Sequence, residues 1–168
     1  CGICNGPGET VSCWNGSFVC NNNECPFDPE DCPSGTTYFN DFPGNLDAEN
    51  EENCVPEEFE FDQSSLQASY YFHSIEINGC SIEPEDWVGA FKGDECVGAK
   101  RWNTLDCLNG VCEVPVMGSD GSSETINYCN IGDEITFKVF DFSEGTLYDD
   151  ATPSENIEWI INNHPIIE

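Results

Sequence analysis

The stretch from residue 87 to residue 99 reads WVGAFKGDECVGA and gives the clearest indication of the fold class. Its two arms, residues 87–91 and 96–99, both contain Val-Gly-Ala and flank the turn sequence Lys-Gly-Asp-Glu at 92–95. Apolar arms on either side of a glycine-containing turn are typical of a β-hairpin. A glycine inside a strand marks a bulge or the close approach of another backbone. We therefore expect two paired strands with one of these features at the glycines.

Strand patterns continue on both sides of this hairpin. Residues 69–77 read SYYFHSIEI and end at an Asn-Gly turn, and residues 111–116 alternate between apolar and polar. Pro115 within the second stretch indicates an edge strand, because proline cannot donate to a ladder. Residues 134–140 alternate cleanly, which places three apolar side chains on one face: Ile135, Phe137 and Val139. Short strands separated by turn signals, without long helices between them, predict an all-β antiparallel β-sandwich.

The C-terminal stretch has two readings. Residues 157–161 contain Trp159 among isoleucines, which predicts a last strand. Residues 152–155, Thr-Pro-Ser-Glu, also resemble a helix start, so a short C-terminal helix is the alternative. An apolar terminal strand either closes its own sandwich or completes the sheet of a neighbouring molecule.

The chain divides into three parts. Residues 1–36 are rich in Cys, Gly, Asn and Pro, so covalent links must hold a segment that buries little apolar area. Within them, residues 10–20 alternate around Asn15-Gly16 and predict a small hairpin. Residues 37–57 are acidic and predict a linker, and residues 58–168 carry the sandwich pattern.

Cysteine usage indicates disulfides and an oxidising, extracellular compartment. The 12 cysteines are even in number, and only one CxxC pair exists, which disfavours zinc. We expect all of them to be disulfide-bonded: Cys1, Cys4, Cys13, Cys20, Cys25, Cys32, Cys54, Cys80, Cys96, Cys107, Cys112 and Cys129. Seven lie before residue 57 and five after it, so complete intramolecular pairing requires a bridge between the two regions. Cys107 and Cys112 flank an Asn-Gly turn and are the one pair we assign.

The charge of the chain excludes several partners. It carries 33 acidic and four basic residues, for a net charge of −29. Such a chain repels nucleic-acid phosphates and anionic lipids. No run of 18 apolar residues exists, so we predict no membrane span.

Bound cations offset self-repulsion, and Ca²⁺ is the ion that carboxylate-rich loops favour. The candidate ligands lie in acidic loops, none of which has EF-hand spacing: Asp28, Glu30, Asp31, Asp120, Asp149 and Asp150. The alternative is that these loops are simply solvated. We expect no organic cofactor.

Catalytic motifs are absent from the sequence. A Ser-His-acid triad needs a serine elbow beside a histidine, and neither His73 nor His164 lies near such a motif. A glycosidase needs two suitably spaced carboxylates, and no motif singles out a pair among the acids. We therefore predict that the chain is not an enzyme and assign no catalytic residue.

Two further positions are candidates for interaction with carbohydrate. Trp102 follows Lys100-Arg101, so we expect it at a polar rim where it stacks on a sugar; the alternative for tryptophan is core packing, which we favour for Trp87 and Trp159. Asn15-Gly16-Ser17 is a glycosylation sequon on a predicted exposed turn.

Residues 69–104, SYYFHSIEINGCSIEPEDWVGAFKGDECVGAKRWNT, with the later VCEVPVMGSDG and YDDATPSENIEW, resemble a β-sandwich module that recurs in large secreted multidomain proteins of environmental bacteria. The segment GETVSCWNGSFVCNNNECP resembles cysteine-rich repeats found beside such modules. The resemblance implies a cell-surface, adhesive or fibre-forming context and transfers no catalytic residue.

The sequence therefore favours a non-enzymatic extracellular module, a subunit of a self-assembling fibre whose partners are further copies or neighbouring modules. A carbohydrate-binding module with glycan partners is the second hypothesis, and an enzyme is the third.

Overall fold

The computed structural model describes residues 11–13, 18–19, 28, 30, 32–39, 54–103, 107, 111–155 and 157–167. A short 3-10 helix spans Glu57–Phe59. The strands within these ranges are β1 (Val11–Ser12), β2 (Phe18–Val19), β3 (Thr36–Tyr38), β4 (Cys54–Pro56), β5 (Gln67–Phe72), β6 (Glu76–Ile77), β7 (Cys80–Ser81), β8 (Trp87–Lys92), β9 (Glu95–Arg101), β10 (Cys112–Met117), β11 (Thr136–Asp141), β12 (Thr146–Ala151) and β13 (Ile166–Ile167).

Two sheets form the body of the fold. One has the order β12-β11-β8-β9, and the other has the order β10-β5-β13. All neighbours are antiparallel except β13, which runs parallel to β5. The rings of Tyr70 and Phe72 on β5 contact Phe137 on β11, with centroids 6.0 and 5.0 Å apart. The sheets therefore pack face to face, which confirms the predicted β-sandwich.

The hairpin predicted for residues 87–99 is formed by β8 and β9, and both features expected of its glycines are present. The register shifts between Ala90 and Phe91, which is a bulge. A Cβ on Gly98 would lie 1.8 Å from the carbonyl oxygen of Pro115, so β9 and β10 approach each other too closely for a side chain at that position. β10 lies at the edge of its sheet, as Pro115 predicts.

The four-stranded sheet is buried on its outer face as well. The ring of Phe59 packs edge-on against Phe91, with centroids 5.7 Å apart, and the missing side chain of Gly89 leaves room for it. Cys54 and Val55 of β4 are fully buried in the same core, and β4 pairs with β3. Residues 54–56 therefore belong to the folded body and not to the linker assigned to 37–57, because their burial depends on distant strands that the local acidic pattern does not reveal.

The remaining short pairs refine two expectations. β1 and β2 form the predicted hairpin, with Val11 opposite Val19; its turn lies outside the described residues. The strand expected over 69–77 is divided, because β5 ends at Phe72 and β6 turns back into β7. Asn78 and Gly79 at this turn have φ of 53° and 81°, the positive values that a type I′ turn requires.

The C-terminal expectation was wrong for residues 157–161, which form no strand. Glu158 makes only an isolated bridge to Glu134, and residues 152–155 form no helix. Trp159 instead turns inward, where its Nε1 donates to the carbonyl oxygen of Val116 at 3.2 Å. The last strand is β13, which closes the chain's own sheet against β5.

Within the described residues the disulfide framework is less complete than expected, and Cys1, Cys4, Cys20 and Cys25 lie outside those residues. Bridges join Cys107 to Cys112, the pair favoured by the sequence, and Cys32 to Cys54. Cys13 is also disulfide-bonded. Cys80, Cys96 and Cys129 are thiols, contrary to the expectation that every cysteine is bonded.

An even number of cysteines does not require that all of them pair, because a buried thiol also packs as a small apolar side chain. Cys96 and Cys129 lie in the core, and burial raises the pKa of both thiols to about 12. The cysteine-rich segment is nevertheless tied to the sandwich, through Cys54, which is itself a core residue.

Candidate functional site

The outer edge of the three-stranded sheet is formed by the C-terminal segment 162–167. The backbone N–H groups of Ser69, Tyr71 and His73 donate to carbonyl oxygens of this segment, at distances of 3.0, 2.9 and 3.3 Å. In a parallel ladder alternate residues turn their peptide groups toward the partner strand. The peptide groups of His164 and Ile166 are therefore directed away from β5, toward the position that a further strand would occupy.

This edge is unusually poor in charge for so acidic a chain. Residues 159–167 contain no Asp or Glu, and neither do residues 63–75, which include β5. Ile166 is 57% exposed, and its neighbour His164 is exposed as well. Interfaces are depleted of charged side chains at their centres. The β13 edge therefore carries little local charge, and the nearest acids along the chain are Glu158 and Glu168.

Two other described edges are guarded against pairing. On β12, a register shift opposite Phe137 and Val139 places Asp149 and Asp150, both exposed, in a bulge. On β10, Pro115 lacks a donor and lies against Gly98. Bulges, charges and prolines are the usual devices that stop a sheet edge from adding a strand.

A groove of about 320 Å³ opens between the two sheets beside β13. Core side chains from both sheets line it, among them Phe72, Val88, Phe137, Val139 and Ile167. The two sheets contact each other along β9 and β10 at one side of the sandwich. The groove lies at the other side, where β12 and β13 are the edge strands. Apolar side chains of an added strand would find core residues there.

Lys92 and Lys138 each join two segments of the fold. Lys92 forms an ion pair with Asp133 at 2.7 Å and donates to the carbonyl oxygen of Tyr128 at 2.9 Å. Lys138 pairs with Glu58 at 3.1 Å and lies 4.4 Å from the centroid of the Phe91 ring. These contacts bind the loop before β11 and the 3-10 helix to the four-stranded sheet.

Asp120, a candidate calcium ligand, organises its own loop. Its carboxylate accepts hydrogen bonds from the backbone N–H of Ser65 and Ser122 and from the hydroxyl of Thr125, at 3.0, 3.1 and 2.7 Å. These bonds hold the pKa of Asp120 well below its usual range. The carboxylate therefore already has partners that satisfy its charge.

The other candidate ligands are not brought together. The side chain of Asp28 accepts from the backbone N–H of Glu30 at 3.0 Å, and Asp31 lies outside the described residues. Asp149 and Asp150 lie in the bulge of β12. Among the described residues no three His, Cys, Asp or Glu side chains are grouped as metal ligands would be.

Trp102 is 4% exposed, so the expectation that it stacks on a sugar at a polar rim was wrong. Its backbone N–H donates to the carbonyl oxygen of Asp86 at 2.7 Å, which holds the end of β9 against the sandwich. Trp87 and Trp159 are buried as expected. The Lys-Arg pair misleads here, because a long-range contact decides the position of the residue that follows it.

Asp86 is a buried carboxylate that the sequence analysis did not single out. It accepts the backbone N–H of Glu83 at 2.7 Å and of Phe142 at 3.0 Å. Burial raises its pKa despite these bonds. A single acid before a strand carries no pattern that separates it from the other acids, so local sequence gave no signal of its role in joining three segments.

The two histidines lie near the edge of the three-stranded sheet. The ring of His164 is 6.1 Å from that of Tyr71, and the backbone of His73 binds Ile167. Within the described residues, no hydrogen bond connects either imidazole to a serine or an acid. The sequon at Asn15 lies outside the described residues.

No helix in the described ranges is both long and apolar enough to cross a membrane. Comparisons of the chain with protein-family models, with curated proteins and with solved structures found no match.

Proposed function

We propose that this chain is a non-enzymatic extracellular structural module whose copies associate through the β13 edge into a surface fibre. The observation that carries the proposal is the combination, at that edge, of outward-facing peptide groups and a complete lack of acidic residues over 159–167.

The extracellular part of the proposal is supported by the disulfides. The chain has the bridges Cys32–Cys54 and Cys107–Cys112. Disulfides persist in oxidising compartments and are rare in cytosolic proteins. The first bridge fixes a cysteine-rich segment to the sandwich core, a construction suited to a domain that must withstand exposure.

The self-association is supported by geometry and charge together. Strand addition uses main-chain hydrogen bonds for affinity and side-chain pockets for register. The peptide groups of His164 and Ile166 supply the first, and the groove between β12 and β13 supplies the second. The β13 edge presents the peptide groups of His164 and Ile166, because Pro165 between them faces β5, whereas β12 and β10 carry devices against pairing.

The strong net charge sets a condition on assembly. Two chains of −29 repel each other, and salt screens that repulsion over about 10 Å at 0.1 M. We therefore expect assembly to strengthen as ionic strength rises. A contact that consisted of ion pairs would weaken instead.

The test compares the wild type with Ile166→Lys, which adds a charge to the edge, and with Ile126→Lys as the matched control. Ile126 is 62% exposed, similar to Ile166 at 57%, but lies in the loop between β10 and β11 and not on a strand. Light scattering and negative-stain electron microscopy should show filaments for the wild type and the control, and monomers for Ile166→Lys. A wild type that stays monomeric or stops at a dimer at physiological salt contradicts the proposal.

The carbohydrate-binding hypothesis loses the aromatic side chain on which it rested, because Trp102 is buried. A sugar site therefore requires a different surface.

A further inference from the structure

The outer face of the three-stranded sheet carries a second groove, of about 230 Å³, that none of the preceding roles uses. β10 and β5 pair antiparallel with Met117 opposite Gln67 and Pro115 opposite Ser69, so these side chains share one face of the sheet. Gln63, Lys100 and Glu113 complete the polar lining. Whereas the four-stranded sheet has its outer face covered by Phe59, this face bears a groove that opens to solvent.

The carboxamides in this groove are held only weakly. The Nε2 of Gln63 lies 3.3 Å from the carbonyl oxygen of Ser64, 3.4 Å from the Oε1 of Gln67 and 3.4 Å from the sulfur of Met117. Good N–H···O bonds cluster near about 2.9–3.0 Å. These long contacts can be exchanged for bonds to a ligand at little cost.

The carboxylate is oriented more firmly. Glu113 on β10 accepts a hydrogen bond from the hydroxyl of Ser69 on β5. Ser69 lies opposite Pro115, two residues from Glu113. The groove thus offers an oriented acceptor in Glu113, a donor in Lys100, and carboxamides that both donate and accept. Hydroxyl groups of a ligand need this mixture, because each one donates and accepts.

The local charge selects the class of ligand. Lys100 and Glu113 cancel, and the neighbouring residues 63–75 contain no acid, so the groove is neutral within a chain of −29. The field of the whole chain repels polyanions such as uronic-acid or sulfated polymers. A cationic ligand would be drawn to the acidic loops instead. A neutral, hydroxyl-rich ligand is the class that this groove fits.

We propose that this groove binds one sugar unit of a neutral polysaccharide. Pro115, which is half-buried, provides an apolar contact for the C–H face of the ring, while the carboxamides, Glu113 and Lys100 bind its hydroxyls. The volume is below the range of about 300–1,000 Å³ usual for pockets that enclose a drug-sized ligand. The groove therefore takes a single ring, and the rest of the polymer continues over the open ends.

The experiment first screens the full chain on immobilised neutral oligosaccharides (cello-, xylo- and manno-oligomers) and on anionic ones (alginate and pectin oligomers). Calorimetry then measures the affinity of the wild type and of Gln67→Ala for the neutral oligosaccharide that binds most tightly. Asn127→Ala is the matched control. Asn127 is an exposed carboxamide that does not line the groove. Loss of about one hydrogen bond to the sugar should weaken binding about tenfold in Gln67→Ala, and the control should bind like the wild type.

Thermal unfolding of each variant establishes that it is folded, and Lys100→Ala provides a second change on the other wall of the groove. Binding of neutral sugars that both groove variants weaken supports the proposal. The proposal is overturned if no neutral oligosaccharide binds in the screen, or if the anionic oligomers bind more tightly. It is also overturned if neither variant changes the binding of the neutral sugar. Ile166→Lys should bind sugar normally, so the outcome is independent of fibre formation.

Discussion

Replacing Gly98 by alanine is the sharpest test of how the two sheets meet. The added Cβ would lie 1.8 Å from the carbonyl oxygen of Pro115 and 2.7 Å from its carbonyl carbon. Both obstacles are backbone atoms, so no side-chain rotation relieves the clash. β9 and β10 must separate by more than 1 Å before the Cβ reaches 3.0 Å, the distance below which real Cβ contacts essentially never occur. Overpacking costs about 1–3 kcal/mol when side chains can adjust, and we expect about 3 kcal/mol or more here. For a chain of this size that corresponds to a fall in Tm of about 6–12 °C.

The matched control is Gly93→Ala in the turn of the same hairpin. Gly93 has φ of 61° and nothing within 4 Å of an added Cβ, so the substitution strains the backbone without a clash. That strain costs about 1–2 kcal/mol. Thermal unfolding under non-reducing conditions should therefore rank Gly98→Ala as clearly the less stable variant. A fall in Tm for Gly98→Ala no larger than that for Gly93→Ala refutes the close approach of β9 and β10.

Two further predictions concern the disulfide and the acidic loop. Cys32→Ala removes a bridge with a sequence separation of 22 and should lower the free energy of unfolding by about 3 kcal/mol. Removal of the Cys107–Cys112 bridge, with a separation of 5, should lower it by about 2 kcal/mol, because a shorter loop gains less entropy when it opens. Equal losses in denaturant titration would contradict this explanation. The pKa of Asp120 is lower in the folded than in the unfolded chain, where it is about 3.9, so its stabilisation is present above that value and is lost as pH falls further. The stability difference between wild type and Asp120→Asn should therefore shrink between about pH 6 and about pH 2.5, and a difference independent of pH would sink this explanation.

Local patterns predicted those elements whose partners lie nearby in the sequence. The hairpin of residues 87–99 follows from its turn, and Pro115 places its strand at a sheet edge because it lacks a donor. The bridge of Cys107 to Cys112 joins residues only five apart in the sequence. In each case the physical cause acts within a few residues, so it is readable from the chain.

Features that depend on distant partners were not predictable in the same way. Residue 167 pairs with residue 72 in a parallel register, and no local pattern reports a contact across that separation. Trp102 is buried although its neighbours are basic, and its backbone N–H binds the carbonyl oxygen of the distant Asp86. Cys54 lies in an acidic stretch, yet the sandwich core encloses it. Tertiary packing overrides local composition at all of these positions.

The candidate sites show the same division. The acid-free stretches 63–75 and 159–167 are visible in the sequence, but their meeting at one sheet requires the parallel pairing of β13 with β5. Likewise, Gln67 and Glu113 give no motif, and the antiparallel register of β5 with β10 places them on one face.

Residue-resolved amide hydrogen exchange, measured from dilute to concentrated protein, tests the β13 edge most directly. The amide of Ile166 faces away from β5, so assembly should give it a partner and slow its exchange as concentration rises. The amide of Ser123, in the exposed acidic loop, should exchange at the same rate throughout. Exchange at Ile166 that is unaffected by concentration, while filaments form, would contradict assembly through this edge.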